Sequence, residues 1–195
     1  MELKDGIKTF YAQSQADWRK WLENNHQTEK SVWLIIYKKE TEIPSVYYPE
    51  AVDEAICFGW IDSKPNKRDE KSYYQFFAKR NIKSNWSKVN KSKAAILLKN
   101  GKLAPSGLAA IKVAKQNGTW TALDEVEEMI VPNDLQKEFD KNEIAFEHWG
   151  NFPRSSKRNI LEWIMNAKQA HTRAKRIQET VKLATDNIKA NHYRQ

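Results

Sequence analysis

The chain has 195 residues, a formal net charge of +8 and a hydrophobic content of 40%. Its eight Trp, seven Tyr and seven Phe exclude a disordered chain, and no apolar run approaches the roughly 20 residues of a membrane-spanning helix. A single cysteine, Cys57, excludes an internal disulfide, and four histidines without ligand spacing point to no metal site and no cofactor.

The charge runs in blocks: net −4 over residues 1–63, +10 over 64–102, −5 over 103–153 and +7 over 154–195. Basic blocks that met in space would make a face for polyanions; otherwise the blocks neutralise one another or are solvated. The N-terminus Met1-Glu2-Leu3-Lys4-Asp5-Gly6 is charged and lacks an apolar centre, so no secretory signal is expected. With Cys57 in an apolar setting, the expected location is the reducing cytoplasm.

Taken in order, Phe10-Tyr11-Ala12 reads as a first short strand. Ser14 is placed to cap a helix whose Trp18, Trp21 and Leu22 share one face. Val32 to Tyr37 is a continuous apolar run rich in β-branched and aromatic types, the pattern of a strand covered on both faces. Pro49 opens a helix with Val52, Ala55 and Ile56 on its apolar stripe, and Gly59 closes it. Trp60-Ile61-Asp62 starts a second long strand, Asp69-Glu70-Lys71 a hairpin connection, and Ser72 to Ala78 the return strand.

From Ser84 the pattern turns helical. Ser84 or Ser87 caps a helix holding Val89, Ile96 and Leu97, ended by Gly101. Pro105-Ser106-Gly107 opens the next, with Leu108, Ile111 and Ala114 on one face and Gly118 at its end. Thr121 is expected to cap a short acidic helix, and Asn133 with Gln136 to form a capping box. Phe146 and Trp149 mark another helix, Ser155 or Ser156 starts one with Ile160, Trp163 and Ile164, and Thr172 caps the last, with the stripe Ala174, Ile177, Val181, Ala184 and Ile188. The fold class is therefore α+β: a small, mostly antiparallel sheet with helices in the N-terminal part and an all-helical C-terminal part. The expected boundaries are 1–80 and 81–190, with one continuous domain as the alternative, and a frayed tail at 191–195.

Four constellations carry chemistry. Trp60, Asp62 and Ser63 put a carboxylate beside an indole at a strand, where it acts as an acid or base or merely pairs with Lys64, Lys67 and Arg68. Ser84, Asn85, Trp86 and Asn90 cluster hydrogen-bonding side chains around one aromatic at a helix start, fit either to hold an anion or to cap. Residues 64–102 interleave Tyr73, Tyr74, Phe76, Phe77 and Trp86 with Lys and Arg, as single-stranded nucleic-acid binders do, although alternation should turn half of these rings inward. Arg173 and Arg176, one turn apart, can share an anion or pair with Glu162 and Glu179.

Several runs together resemble one family. They are Val32-Trp33-Leu34 with Tyr37-Lys38-Lys39, then Glu54 to Asp62, Ser84 to Asn90, Gly101 to Leu108, Ala167-Lys168, Thr172-Arg173 and Arg176-Ile177. They are similar to the YdeI/OmpD-associated family, also called bacteriocin-protection proteins, over roughly residues 8–185. The resemblance implies a soluble α+β protein tied to tolerance of cationic peptides or bacteriocins, and it implies no catalytic residues. Ala104 and Ser106 depart from the Thr-Pro-Ala-Gly turn towards which the family tends.

The resulting expectation is a binding or stress-tolerance protein that holds an anionic ligand, nucleic acid being one candidate. Trp60, Asp62, Ser84, Asn85, Trp86 and Asn90 would line the site and Arg173 and Arg176 would close it. An enzyme using Asp62 as acid or base, and a protein partner met through an aromatic patch, are the alternatives.

Overall fold

A computed structural model describes residues 2–191, so the expected frayed tail lies outside the described residues from His192 onward. The chain divides into two compact units, Met1–Ala122 and Leu123–Gln195.

The first unit is built on a five-stranded sheet of order β1-β2-β3-β5-β4. A hairpin starts it: β1 (Leu3–Lys4) turns through Asp5 and Gly6, both at positive φ, into β2 (Ile7–Tyr11). Helix α1 (Gln15–Asn25) follows, with Ser14 Oγ accepting from the Asp17 N–H at 3.1 Å. It returns the chain to β3 (Ser31–Tyr37), which lies parallel to β2. Helix α2 (Tyr48–Cys57) begins one residue before Pro49, and its Glu50 carboxylate accepts from the Tyr47 N–H at 3.0 Å. Strands β4 (Trp60–Lys67) and β5 (Ser72–Lys79) form an antiparallel hairpin whose turn is held by Asp69 Oδ1, which accepts from the N–H groups of Lys71 and Ser72. Strand β5 also pairs antiparallel with β3 along its full length, so β3 is central and only the β2–β3 ladder is parallel.

The centre of β3 is buried from Val32 to Ile36, as its unbroken apolar run demands. On one face, Val32, Leu34 and Ile36 join Phe77 and Trp60 under the helices, where Trp18, Leu22, Val52, Ala55 and Ile56 complete the core. On the other face, Trp33, Ile35 and Tyr74 form a smaller aromatic cluster with Tyr11, Tyr37 and Phe76. Helices α3 (Lys88–Lys99) and α4 (Pro105–Gln116) extend the main core through Ala94, Leu97, Ile111 and Ala114. Ser87 caps α3, its Oγ accepting from the Asn90 N–H. Val89, Ile96 and Leu108, expected on apolar stripes, are instead exposed; Ala94 with Leu97, and Gly107 with Ile111 and Ala114, are the residues that face inward. At Gly107 the reason is space, since a Cβ there would stand 2.2 Å from the Cys57 carbonyl oxygen.

The second unit is helical throughout its described residues: α5 (Asp124–Glu127), α6 (Asn133–Phe139), α7 (Glu143–Asn151), α8 (Arg154–Met165) and α9 (Ala170–Thr185). Leu135, Phe139, Trp149, Ile160, Ile164, Ile177, Val181 and Ala184 make its core. Several expected caps are corrected here. Pro132 and Pro153 occupy the N-cap positions of α6 and α8, because proline's locked φ already suits the turn into a helix. Asn133 thus falls inside α6, and Gln136 donates to Asp140 rather than closing a capping box. Thr121 bonds back to the Gly118 carbonyl, Thr172 lies within the first turn of α9, and Ile188 falls beyond that helix.

Candidate functional site

The site begins at Gly59, between α2 and β4. Its φ of +72° gives α2 its left-handed ending, and its N–H donates to the Ile56 carbonyl. A Cβ there would stand 2.9 Å from the Ser106 carbonyl oxygen, and one on Gly107 would stand 2.2 Å from the Cys57 carbonyl oxygen. The end of α2 and the start of α4 therefore meet backbone to backbone, and the Ala104 N–H donates to the Cys57 carbonyl at 3.0 Å. The positive end of α4 faces carbonyls at the negative end of α2.

Beside this junction the β4–β5 hairpin opens its ends. Trp60 pairs with Lys79, and the Arg80 N–H donates to the Gly59 carbonyl at 3.0 Å, which fixes where the Arg80 side chain starts. The segment to α3 is anchored by the Trp86 N–H on the Thr119 carbonyl and by the Trp86–Trp120 ring contact at 4.9 Å. These pieces enclose a cleft of about 390 Å³, its apolar wall made by Phe58, Trp60, Ile82, Trp86 and Val113. Lys79, Arg80 and His26 also line it, and no Asp or Glu does.

Arg80 is the unusual member. Its guanidinium stacks on Trp86 at 3.8 Å, and Nη2 donates to the Asn85 carbonyl at 2.6 Å. Nε and Nη1 are shut off from solvent without a hydrogen-bond partner, as is the Ser106 hydroxyl on the facing helix. Burial pulls the Arg80 pKa down to about 10, and the charge of Asp62 offsets only part of this. Lys79 is exposed, and its Nζ donates to the Gln27 carbonyl at 2.5 Å. His26 holds Nδ1 against the Leu22 carbonyl at 2.8 Å and packs its ring on Phe58.

Two comparisons with known families now apply. Residues 10–110 match the family described as Domain of unknown function (DUF8412), more than half of the chain. The chain belongs to the DUF8412 family. Residues 128–187 match the family described as Bacteriocin-protection, YdeI or OmpD-Associated, so the second unit carries that domain. No curated protein and no solved structure gives a significant match. The cleft's lining from Phe58 to Ala110 falls within the DUF8412 match, as do the Val32, Glu54, Ser84 and Gly101 runs; the Ala167, Thr172 and Arg176 runs fall within the YdeI/OmpD-associated match.

In the DUF8412 part, three of the residues read from sequence line the cleft: Trp60, Ser84 and Trp86. Asp62 shares a strand face with Trp60 but accepts from the Tyr48 hydroxyl at 2.7 Å, outside the lining. Asn85 contributes its carbonyl to Arg80, and Asn90 its N–H to the cap of α3. In the YdeI/OmpD-associated part, the Nε and Nη2 of Arg173 grip the Asp134 carboxylate at 2.6 and 2.9 Å and hold its pKa below the usual carboxylate range. Arg176 stacks on Trp163 at 4.9 Å and donates to its carbonyl, while Glu162, one expected partner, pairs with Arg158.

Arg80, Ser106 and His26 escaped the sequence reading. In sequence Arg80 is one cation of a basic block, and Ser106 is one residue of the turn that opens a helix. Of the rings in that block, Phe77 and Trp86 are at most 1% exposed, so no base can stack on them as they stand. Among the described residues no His, Cys, Asp and Glu gather in metal-binding number, and no helix is long and apolar enough to cross a membrane.

Proposed function

We propose that the first unit is a binding module for a small organic anion, seated in the cleft between the open end of the β4–β5 hairpin and α4. One observation carries the reading: Arg80 lines an apolar cleft that holds no carboxylate, and two of its nitrogens lack a partner. Buried charges are ordinarily paired, and an unpaired one costs stability unless a ligand completes it. Asp62 holds Tyr48 and stands outside the lining, which weighs against an acid–base role in this cleft. Burial of Phe77 and Trp86 weighs likewise against nucleic acid stacked on the basic block.

The description of the family matched at 128–187 names bacteriocin protection, and we extend that to a stress-tolerance role for the liganded protein. A cytoplasmic setting agrees with the free, buried thiol of Cys57, whose pKa burial raises to about 11, leaving it unreactive.

Arg80→Met tests the reading. Methionine keeps an apolar body against Trp86 and removes a charge whose Nε and Nη1 have no partner, at the cost of the one bond to the Asn85 carbonyl, so stability should change by less than about 1 kcal/mol while the upward shift produced by anionic ligands disappears. A loss of more than about 2 kcal/mol of stability with ligand shifts intact would make Arg80 a structural residue and refute the proposal.

A further inference from the structure

Resting on that reading, we infer that the ligand is an amphipathic monocarboxylate, its carboxylate against Arg80 and the Ser106 hydroxyl and its apolar body along Ile82, Ala109 and Val113, the exposed apolar side chains of the lining. Charge decides between anion classes. A phosphate monoester brings about −1.5 to −2 charges and three strong acceptor oxygens, and apolar walls would leave the excess uncompensated. The cleft offers one shielded guanidinium; its second fixed cation, Lys79, is exposed and already donates to the Gln27 carbonyl.

Phosphate sites usually add backbone N–H groups at a helix start. Here the start of α4 is pressed on the end of α2, with the Ala104 N–H given to the Cys57 carbonyl and Gly107 packed against that same oxygen. One cation and one hydroxyl match one carboxylate, which accepts from both. The unpartnered nitrogens of Arg80 and the Ser106 hydroxyl are all shut off from solvent, so binding requires both side chains to turn towards the anion. A volume of about 390 Å³ suits a small organic acid. Trp86 is buried in contact with Arg80 and Trp120, so the apolar body rests on the exposed lining residues instead.

The test is titration of the full chain with phenylacetate, indole-3-acetate and octanoate, with phenylacetamide and octanol as neutral counterparts and phenyl phosphate as the dianion. Calorimetry and tryptophan fluorescence provide the readouts. The carboxylates should bind, the neutral counterparts about tenfold weaker or worse, and phenyl phosphate weaker than phenylacetate. Arg80→Lys should weaken binding, and Ala109→Trp, which fills the cleft mouth from an exposed helix position with Arg80 intact, should abolish it. Phenyl phosphate binding tighter than phenylacetate overturns the monocarboxylate assignment and leaves the anion site standing. Neutral compounds binding as tightly as the acids, or no binding by any compound, overturns both.

Discussion

At the scale of single residues, the molecule turns on backbone contacts that only glycine permits. Gly59 combines a left-handed φ with a neighbouring carbonyl 2.9 Å from where its Cβ would be, while Gly101 has a left-handed φ of +64° and open space around it. The left-handed conformation alone costs a non-glycine residue about 1–2 kcal/mol, and overpacking adds about 1–3 kcal/mol. Gly59→Ala should therefore destabilise by about 2–5 kcal/mol and Gly101→Ala by about 1–2 kcal/mol, read from urea midpoints. Equal losses would mean that α2 and α4 do not meet as described. Polar residues also tie elements within this unit: Arg19 and Gln15 of α1 both donate to the buried Glu54 carboxylate of α2, at 2.8 and 2.7 Å. Removing one partner of such a pair leaves a buried charge uncompensated.

Among elements, helix starts separate into those a side chain caps and those proline supplies. Ser14 and Ser87 accept from the N–H three residues on, and replacing either by alanine should cost about 1 kcal/mol. Thr172→Ala should cost less than about 0.5 kcal/mol, because Gln169 holds the N-cap of α9. A loss at Thr172 as large as that at Ser14 would contradict the helix start at Ala170. Strand order has an equally physical origin. β2 and β3 are joined by a helix and run parallel, whereas β4 and β5, joined by a tight turn, run antiparallel. The parallel β2–β3 ladder sets Thr9 opposite Trp33, and the antiparallel β3–β5 ladder sets Phe76 opposite it.

For the whole molecule, each unit has its own hydrophobic core, one spanning Ala12 to Ala114 and the other Leu123 to Ala190. Residues 1–122 expressed alone should unfold in one cooperative transition and retain the carboxylate affinity of the full chain to within about twofold. A division after residue 80, where the sequence turns helical, makes the opposite forecast. A fragment 1–80 lacks Trp86, Ala94, Leu97 and Ile111, which share the core of Trp18 and Leu34. Circular dichroism melts of the two fragments distinguish the boundaries, and a cooperative 1–80 fragment would favour the earlier one.

How much was legible in the chain depended on how local the information was. The α+β class, the central strand at Val32–Ile36, the helix ending at Gly59 and the cap at Ser14 follow from periodicity and from single-residue conformational preference, which act over a few residues. The Asp5-Gly6 hairpin is equally local, but its strands of two and five residues carry too little alternation to show in the sequence. Three lining residues of the cleft, Trp60, Ser84 and Trp86, were visible as aromatic and polar residues where strand pattern gives way to helix. Tertiary structure decided the rest. It buried Phe77 and Trp86, turned Val89 and Ile96 outward, gave Arg173 to Asp134 rather than to Glu179, and brought Arg80 and Ser106, 26 positions apart, to one cleft where Nε and Nη1 of the first and the hydroxyl of the second lack hydrogen-bond partners. Neither residue announces itself, because the desolvation that singles out a charge depends on what surrounds it in space, and that is set by packing between elements rather than by neighbours along the chain.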